Sequence, residues 1–259
     1  MTDYSLPNFS TDLTGRVALV TGASAGLGVR FAEVLAACGA KVGLAARRLE
    51  RLEKVAARIR DSGGQALPVQ MDATDADSLV ASFDKLEHEF GTVDILVNNA
   101  GIPDAMRAHK MPVELIDRVL AVNVRAPYIL SCEMARRLIA AKKPGRIVNI
   151  SSLAHYRYNG GGAALYAISK TAIARMTETL SVEWVRNNIN VNAIAPGSFR
   201  TEMMDGMISR VGDFSKSLPR ERLGDPAQLD STLLYLVSPS SEFVTGAIIR
   251  VDDGQAADR

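Results

Sequence analysis

The sequence is short of cysteine: Cys38 and Cys132 are the only two, and they share no C-x-x-C spacing. Both lie in apolar, helical-looking stretches, so buried reduced thiols are expected rather than a disulfide, which points to a reducing compartment. An excess of either charge is missing too, with 30 Lys and Arg against 29 Asp and Glu. That balance gives no global attraction to nucleic acid or to an anionic membrane surface, and neither is expected as a partner. No apolar run approaches the roughly 20 residues that span a bilayer. The polar opening, Met1 to Asp12, lacks an apolar signal core, so a cytoplasmic protein is expected. Histidine is sparse as well. His88, His109 and His155 show no metal-ligand spacing, and no H-E-x-x-H occurs, so no metal centre is expected.

What the sequence has is alternation. Short β-branched runs at Arg16–Thr21, Lys41–Ala46, Ala66–Asp72, Val93–Asn98, Arg146–Ser151, Asn190–Ala195 and Ala247–Val251 are separated by longer amphipathic segments. This is the signature of βαβ units on a parallel sheet, an α/β fold. The runs are apolar throughout, as strands covered on both faces should be. In Asp75–Phe90, residues Leu79, Phe83, Leu86 and Phe90 recur at steps of three and four, a helical stripe. Leu49–Ser62 also reads as a helix. With no repeat, low-complexity tract or linker, residues 13–259 read as a single domain behind an N-terminal extension of residues 1–12.

Directly after the first run comes Thr21-Gly22-Ala23-Ser24-Ala25-Gly26-Leu27-Gly28, leading into a helix over Val29–Ala37. Glycine permits positive φ and close backbone approach to a pyrophosphate, and a helix N-terminus offers free N–H groups to an anion. Three glycines near a turn also arise for structural reasons, and the position between a first strand and a first helix favours the phosphate reading. The end of the second run selects the cofactor. An acid about 20 residues beyond the glycines would bond a ribose 2′-hydroxyl. Here the run ends Leu44-Ala45-Ala46-Arg47-Arg48. A guanidinium can grip a 2′-phosphate, so NADP(H) is favoured over NAD(H), with Arg47 as main contact and Arg48 as support. The alternative is that these arginines sit in solvent or pair with Glu50 or Glu53.

Tyr166 and Lys170 fall four apart in the apolar segment Ala164–Trp184, so they share one helical face. A free phenol titrates near ~10. Lowering it by about three units takes roughly 4 kcal/mol, which a neighbouring lysine ammonium together with an oxidised nicotinamide ring in a dry site is expected to supply. Ser151 and Ser152 lie at the carboxyl end of the fifth run, where open parallel sheets bind ligands. Either hydroxyl could hold a substrate oxygen.

Taken in order, Thr21-Gly-x-x-x-Gly-x-Gly28, Asn98-Asn-Ala-Gly101, Ser152, Tyr166-x-x-x-Lys170 and Pro196-Gly-x-x-x-Thr201 resemble the short-chain dehydrogenase/reductase family, close to its 3-oxoacyl-carrier-protein reductase-like branch. The match runs from about Leu13 to Gly254. The resemblance implies a Rossmann-like, doubly wound fold with a seven-stranded parallel sheet and a tetrad of Asn123, Ser152, Tyr166 and Lys170. In that scheme tyrosine is the general acid/base and lysine lowers its pKa while bonding the nicotinamide ribose. Serine orients the substrate oxygen, and asparagine holds a water in a relay behind the lysine. It further implies cofactor contacts from Gly22, Ser24, Gly26, Leu27 and Gly28, an adenine contact at Asp72 with Ala73, and a groove lined by Asn99, Ala100 and Gly101. Pro196, Gly197 and Thr201 would form a carboxamide clamp. Position 25 is alanine, where many NADP-preferring relatives carry a basic residue, so the NADP reading rests on Arg47. Family members pack the helices corresponding to Val113–Ala141 and Ala164–Asn187 against partner copies, so a homotetramer, or a dimer, is expected.

The leading expectation is NADP(H)-dependent hydride transfer between nicotinamide and a small carbonyl or secondary alcohol. The alternatives are an NAD-linked alcohol dehydrogenase working oxidatively and a non-catalytic dinucleotide-binding sensor. His155, Tyr156 and Tyr158 either line the substrate pocket or pack on an exposed loop. Met203, Met204, Met207, Ile208 and Phe214 form either an apolar lid or an ordinary packed helix.

Overall fold

The computed structural model describes residues 6–158 and 160–256. Residues 1–5 of the expected extension and 257–259 of the expected domain lie outside them. All seven strand candidates form strands: β1 Val17–Thr21, β2 Lys41–Ala46, β3 Gln65–Gln70, β4 Ile95–Asn98, β5 Gly145–Ile150, β6 Ile189–Pro196 and β7 Ile248–Val251. They pair in parallel throughout, in the order β3-β2-β1-β4-β5-β6-β7. β3 is an edge strand, which is where Pro68, with no N–H to donate, can be tolerated.

Alternate strand residues feed two apolar layers. Ala18 and Val20 of β1 face the layer of α1 (Gly26–Ala37), α2 (Leu49–Asp61) and α8 (Asp230–Val237). Val17 and Leu19 face α3 (Ala76–Phe90), α5 (Ala126–Ala141) and α6 (Ala164–Trp184). Leu79, Phe83 and Leu86 are fully buried in the second layer with Phe90 half-buried at its edge, so the periodic stripe is the packed face. The Rossmann-like doubly wound reading holds. Because the order reverses direction at β1 and β4, a crevice opens beyond their carboxyl ends, where doubly wound sheets bind ligands.

Two expectations need correction. The helix expected over Val113–Ala141 is broken into α4 (Val113–Leu120), a π-helical turn (Ala121–Arg125) and α5. Pro127 has no N–H for the carbonyl of Asn123 four residues back, and its ring crowds that carbonyl, so the chain widens by a residue. The cysteines are free, but they are half-buried rather than buried: Cys38 caps the end of α1 and Cys132 lies on α5. Among the described residues no helix is long and apolar enough to cross a membrane. No group of three or more His, Cys, Asp or Glu there could hold a metal.

Candidate active site

β1 ends at Thr21, and the chain turns through Gly22 (φ +69°) and Gly26 (φ +57°) into α1. Glycine is required here by space as well as by φ. A Cβ on Gly22 would stand 2.8 Å from Asn99 Nδ2, and one on Gly28 only 2.4 Å from the Gly22 carbonyl oxygen. Thr21 and Asn99 bind the loop to the end of β4. The N–H groups of Asn99 and Ala100 both donate to Thr21 Oγ1 at 3.0 Å, and Asn99 Nδ2 donates to the Thr21 carbonyl at 2.8 Å. Leu27 packs into the core behind. α1 has neither a side-chain N-cap nor an acid in its first turn. Its first N–H groups and the positive end of its dipole are thus left for an anion, so the loop fits a pyrophosphate.

The rim of this loop carries the two arginines. Arg48 Nη2 donates to Ser24 Oγ at 3.3 Å and lies 3.7 Å from Glu202 across the cleft. The guanidinium partner is therefore Glu202 rather than Glu50 or Glu53. Arg47 is exposed near Asp72. Hydrogen bonds from the Thr74 N–H and hydroxyl hold the Asp72 carboxyl below the ordinary range, and the Arg47 charge assists. Ala73 follows, half-buried.

At the other end of the cleft the two serines diverge. Ser151 Oγ donates to the Lys170 carbonyl at 2.9 Å. Ser152 Oγ accepts the Ala154 N–H at 3.1 Å and hydrogen-bonds the Tyr166 hydroxyl. It is Ser152 that meets the phenol. Lys170 is 5% exposed; its Nζ donates to the Ile150 carbonyl at 2.8 Å and stands 5.6 Å from the centre of the Tyr166 ring. Gly101 connects this end with the glycine loop, since a Cβ there would lie 3.5 Å from Lys170 Nζ and 3.6 Å from Asn123 Oδ1. Asn123 clamps the neighbouring residue on both sides, accepting the Ile102 N–H and donating to the Ile102 carbonyl, each at 2.9 Å. It also donates to Ser169 Oγ at 3.1 Å.

Burial pushes the Tyr166 phenol up from its ordinary value; the Ser152 hydrogen bond opposes this and the Asp104 carboxylate adds to it. Burial also pushes Lys170 down to about 8. The lowering expected from the sequence joins the lysine cation to an oxidised nicotinamide; the protein's own groups shift the phenol the other way, with desolvation the largest cause.

Pro196 closes β6 opposite Val251. A Cβ on Gly197 would come within 2.9 Å of Asp252 Cα, so this glycine answers to packing on the C-terminal turn. Thr201 Oγ1 accepts the Met204 N–H at 3.2 Å and caps α7 (Glu202–Val211), while its side chain covers Gly26. α7 buries none of its residues, and Met203 and Met207 are each 41% exposed, so it is not an ordinary packed helix. His155 Nδ1 lies 2.8 Å from the Ser152 carbonyl, which can only accept, so that nitrogen carries the proton. Its ring, tilted against Tyr156, borders a surface groove with Thr171, Arg175 and Glu178 that none of the expected site residues lines. A backbone passage of Gly160, Gly161 and Gly162, all at positive φ, leads into α6.

Sequence reasoning quoted Thr21 in a motif without giving it a role, and passed over Ser169 and Asp104. Asp104 is a buried carboxylate that accepts N–H groups from the first turn of α6. Thr21 could have been found at the strand end, but the partners of the other two lie 46 to 62 residues away.

Residues 16–211 match the family described as short chain dehydrogenase. The 5-keto-D-gluconate 5-reductase of Escherichia coli (strain K12) is 32% identical over 245 residues, covering 93% of this chain and 96% of that protein. A short-chain type dehydrogenase/reductase from Mycobacterium marinum superposes with a TM-score of 0.93 at 32% identity, covering 98% of this chain and 100% of that one. A single-residue variant of the actinorhodin polyketide ketoreductase, solved with NADPH, gives a TM-score of 0.89 at 28% identity over 94% of this chain and 98% of that one.

Proposed function

This chain belongs to the short-chain dehydrogenase family of oxidoreductases, and we propose that it is an NADP(H)-dependent reductase of small carbonyl compounds with Tyr166 as the proton donor. The observation that carries the reading is a half-buried tyrosine whose desolvated phenol stays neutral, bonded to Ser152 on the same wall as the buried Lys170. A neutral phenol is what reduction needs at neutral pH, because the substrate oxygen gains negative charge and must be given a proton. Bound along the groove, NADPH supplies the hydride that goes to the carbonyl carbon.

The chain's own groups divide the remaining work. Ser152 orients the substrate oxygen, and Tyr166 transfers its proton to it. Lys170, aimed by the Ile150 carbonyl, stabilises the phenolate left behind. Asn123 fixes the Gly101–Ile102 wall from the widened turn. Run backwards, the same groups oxidise a secondary alcohol. The choice of NADP(H) over NAD(H) rests on Arg47 and Arg48 standing where an acid would be needed for NAD, and the ketoreductase relative holds NADPH. The keto-gluconate reductase relative makes keto-aldonates the first carbonyls to test. The expected homotetramer is supported by an apolar hollow lined by Leu120, Val124, Tyr128 and Met176, with Ile168 and Val182 exposed on α6. A cytoplasmic site is consistent with the free cysteines.

Tyr166→Phe is the test, using NADPH oxidation with 5-keto-D-gluconate and a panel of small ketones. Turnover should fall by about 10³-fold or more, with NADPH affinity, read by nucleotide fluorescence, essentially unchanged. Full activity in that variant overturns the assignment.

A further inference from the structure

The catalytic helix lacks a cap of its own. α6 begins after Ala163, whose side chain can accept nothing. The missing acceptor comes from 61 residues earlier in the chain: Asp104 Oδ2 takes the N–H of Leu165 at 2.9 Å and that of Tyr166 at 3.1 Å. Its other oxygen takes the N–H of Ala105 at 2.8 Å, and Ala105 is one of few non-glycine residues at positive φ (+48°). The carboxylate is 4% exposed.

These contacts have an architectural consequence. The strap that follows β4 is clamped at Ile102 by Asn123 and at Asp104 by α6, and between those points it borders the cleft. Gly162, just before α6, lies so close to the backbone of Met106 and Arg107 that a Cβ there would be 3.2 Å away. The depth at which α6 starts is therefore set by Asp104. Tyr166 sits in the first turn, so this setting reaches the phenol with no flexible segment between.

We propose that Asp104 is the positioning residue of the active site: it anchors the first turn of α6 so that the Tyr166 hydroxyl meets Ser152, and it places a carboxylate at the start of the helix whose first turn carries that phenol. The inference rests on the proton-donor reading of Tyr166. The charged groups acting on the phenol are Lys170 from α6 itself and Asp104 from the strap, with neutral Ser152 facing it from the end of β5. The carboxylate opposes the positive end of the α6 dipole, which alone would favour phenolate.

The test separates anchoring from charge and from the catalytic reading. Tyrosinate absorbance of the cofactor-free protein is followed against pH, with the matching Tyr166→Phe protein subtracted, for wild type, Asp104→Asn and Asp104→Ala. Asp104→Asn keeps an acceptor for α6 and removes the charge, so the Tyr166 titration should move to lower pH, and NADPH-dependent kcat at neutral pH should fall less than in Asp104→Ala. Asp104→Ala removes the anchor as well, and kcat should fall about tenfold or more with KM for NADPH unchanged. An unshifted titration in Asp104→Asn overturns the electrostatic part, and an undiminished kcat in Asp104→Ala overturns the anchoring part. If the alanine variant does not fold, Asp104→Ser takes its place, with a smaller expected loss because its shorter hydroxyl can still accept one N–H. Failure of the proton-donor reading is distinguishable, because it shows as an active Tyr166→Phe enzyme whatever the Asp104 variants do.

Discussion

The two ends of the cleft are built on different principles. The phosphate end is held by what is absent: no Cβ at Gly22 or Gly28, no side-chain cap and no acid at the start of α1. Its bonds are mostly backbone to backbone or to the short side chains of Thr21 and Asn99. The chemical end is held by what is present, namely buried and half-buried polar side chains from four separate segments, Asp104, Asn123, Ser152 and the Tyr166–Lys170 pair. The first end should therefore fail by steric intrusion, and the second by a change in charge or in hydrogen bonding.

Gly28→Ala sharpens the contrast most. Its Cβ would enter the space of the Gly22 carbonyl and of Asn99 Nδ2, 2.6 Å away, neither of which can yield without opening the loop. Overpacking of this kind costs up to about 3 kcal/mol, so NADPH affinity by fluorescence titration should drop about a hundredfold while the circular dichroism of the sheet is kept.

Lys170→Met probes the other end. Folded Lys170 loses its proton near 8 against 10.5 in the free side chain. Between these values the unfolded chain holds the extra proton, so stability rises with pH, until the unfolded phenol of Tyr166 ionises near 10 and reverses the slope. Wild-type denaturant midpoints should climb from about pH 8 towards 10. Lys170→Met should flatten that climb and add about 2 kcal/mol at neutral pH, since it removes a buried charge, while abolishing turnover. A midpoint independent of pH in the wild type would remove the distinction drawn between the two ends.

Arg47→Ala should have the smallest effect, about a tenfold loss of NADPH affinity with NADH nearly unaffected, the contribution of one charge-assisted hydrogen bond at an exposed rim. Equal losses for the two nucleotides would take Arg47 out of the phosphate end.

The same contrast explains what was legible in the sequence. The strands, the helix after Gly28 and the face shared by Tyr166 and Lys170 follow from local periodicity, and the structure has them within a few residues. The break at Ala121–Arg125 was written in Pro127, but its apolar flanks masked it. Ser152 rather than Ser151 was reached through the family resemblance and not from local pattern, because adjacent residues differ only in direction, and that is decided by the partners Lys170 and Tyr166. Asp104 was illegible for the same reason, since a carboxylate shortly after a motif-like Asn-Ala-Gly gives no sign of the helix it will cap. The desolvation that acts on Tyr166 could not be read either, because burial is a property of the whole fold, whereas the lysine neighbour is visible in the spacing.

Gly160, Gly161 and Gly162 adopt φ of +85°, +88° and +83° in succession. L side chains rarely adopt such angles, so a substitution along this stretch is strained and the stretch carries little chemical preference of its own. Mutation remodels this approach to Tyr166 at least strain by lengthening or shortening it. Discrimination among substrates must then be written in the residues on either side, and the passage itself works as a spacer whose one adjustable property is its count.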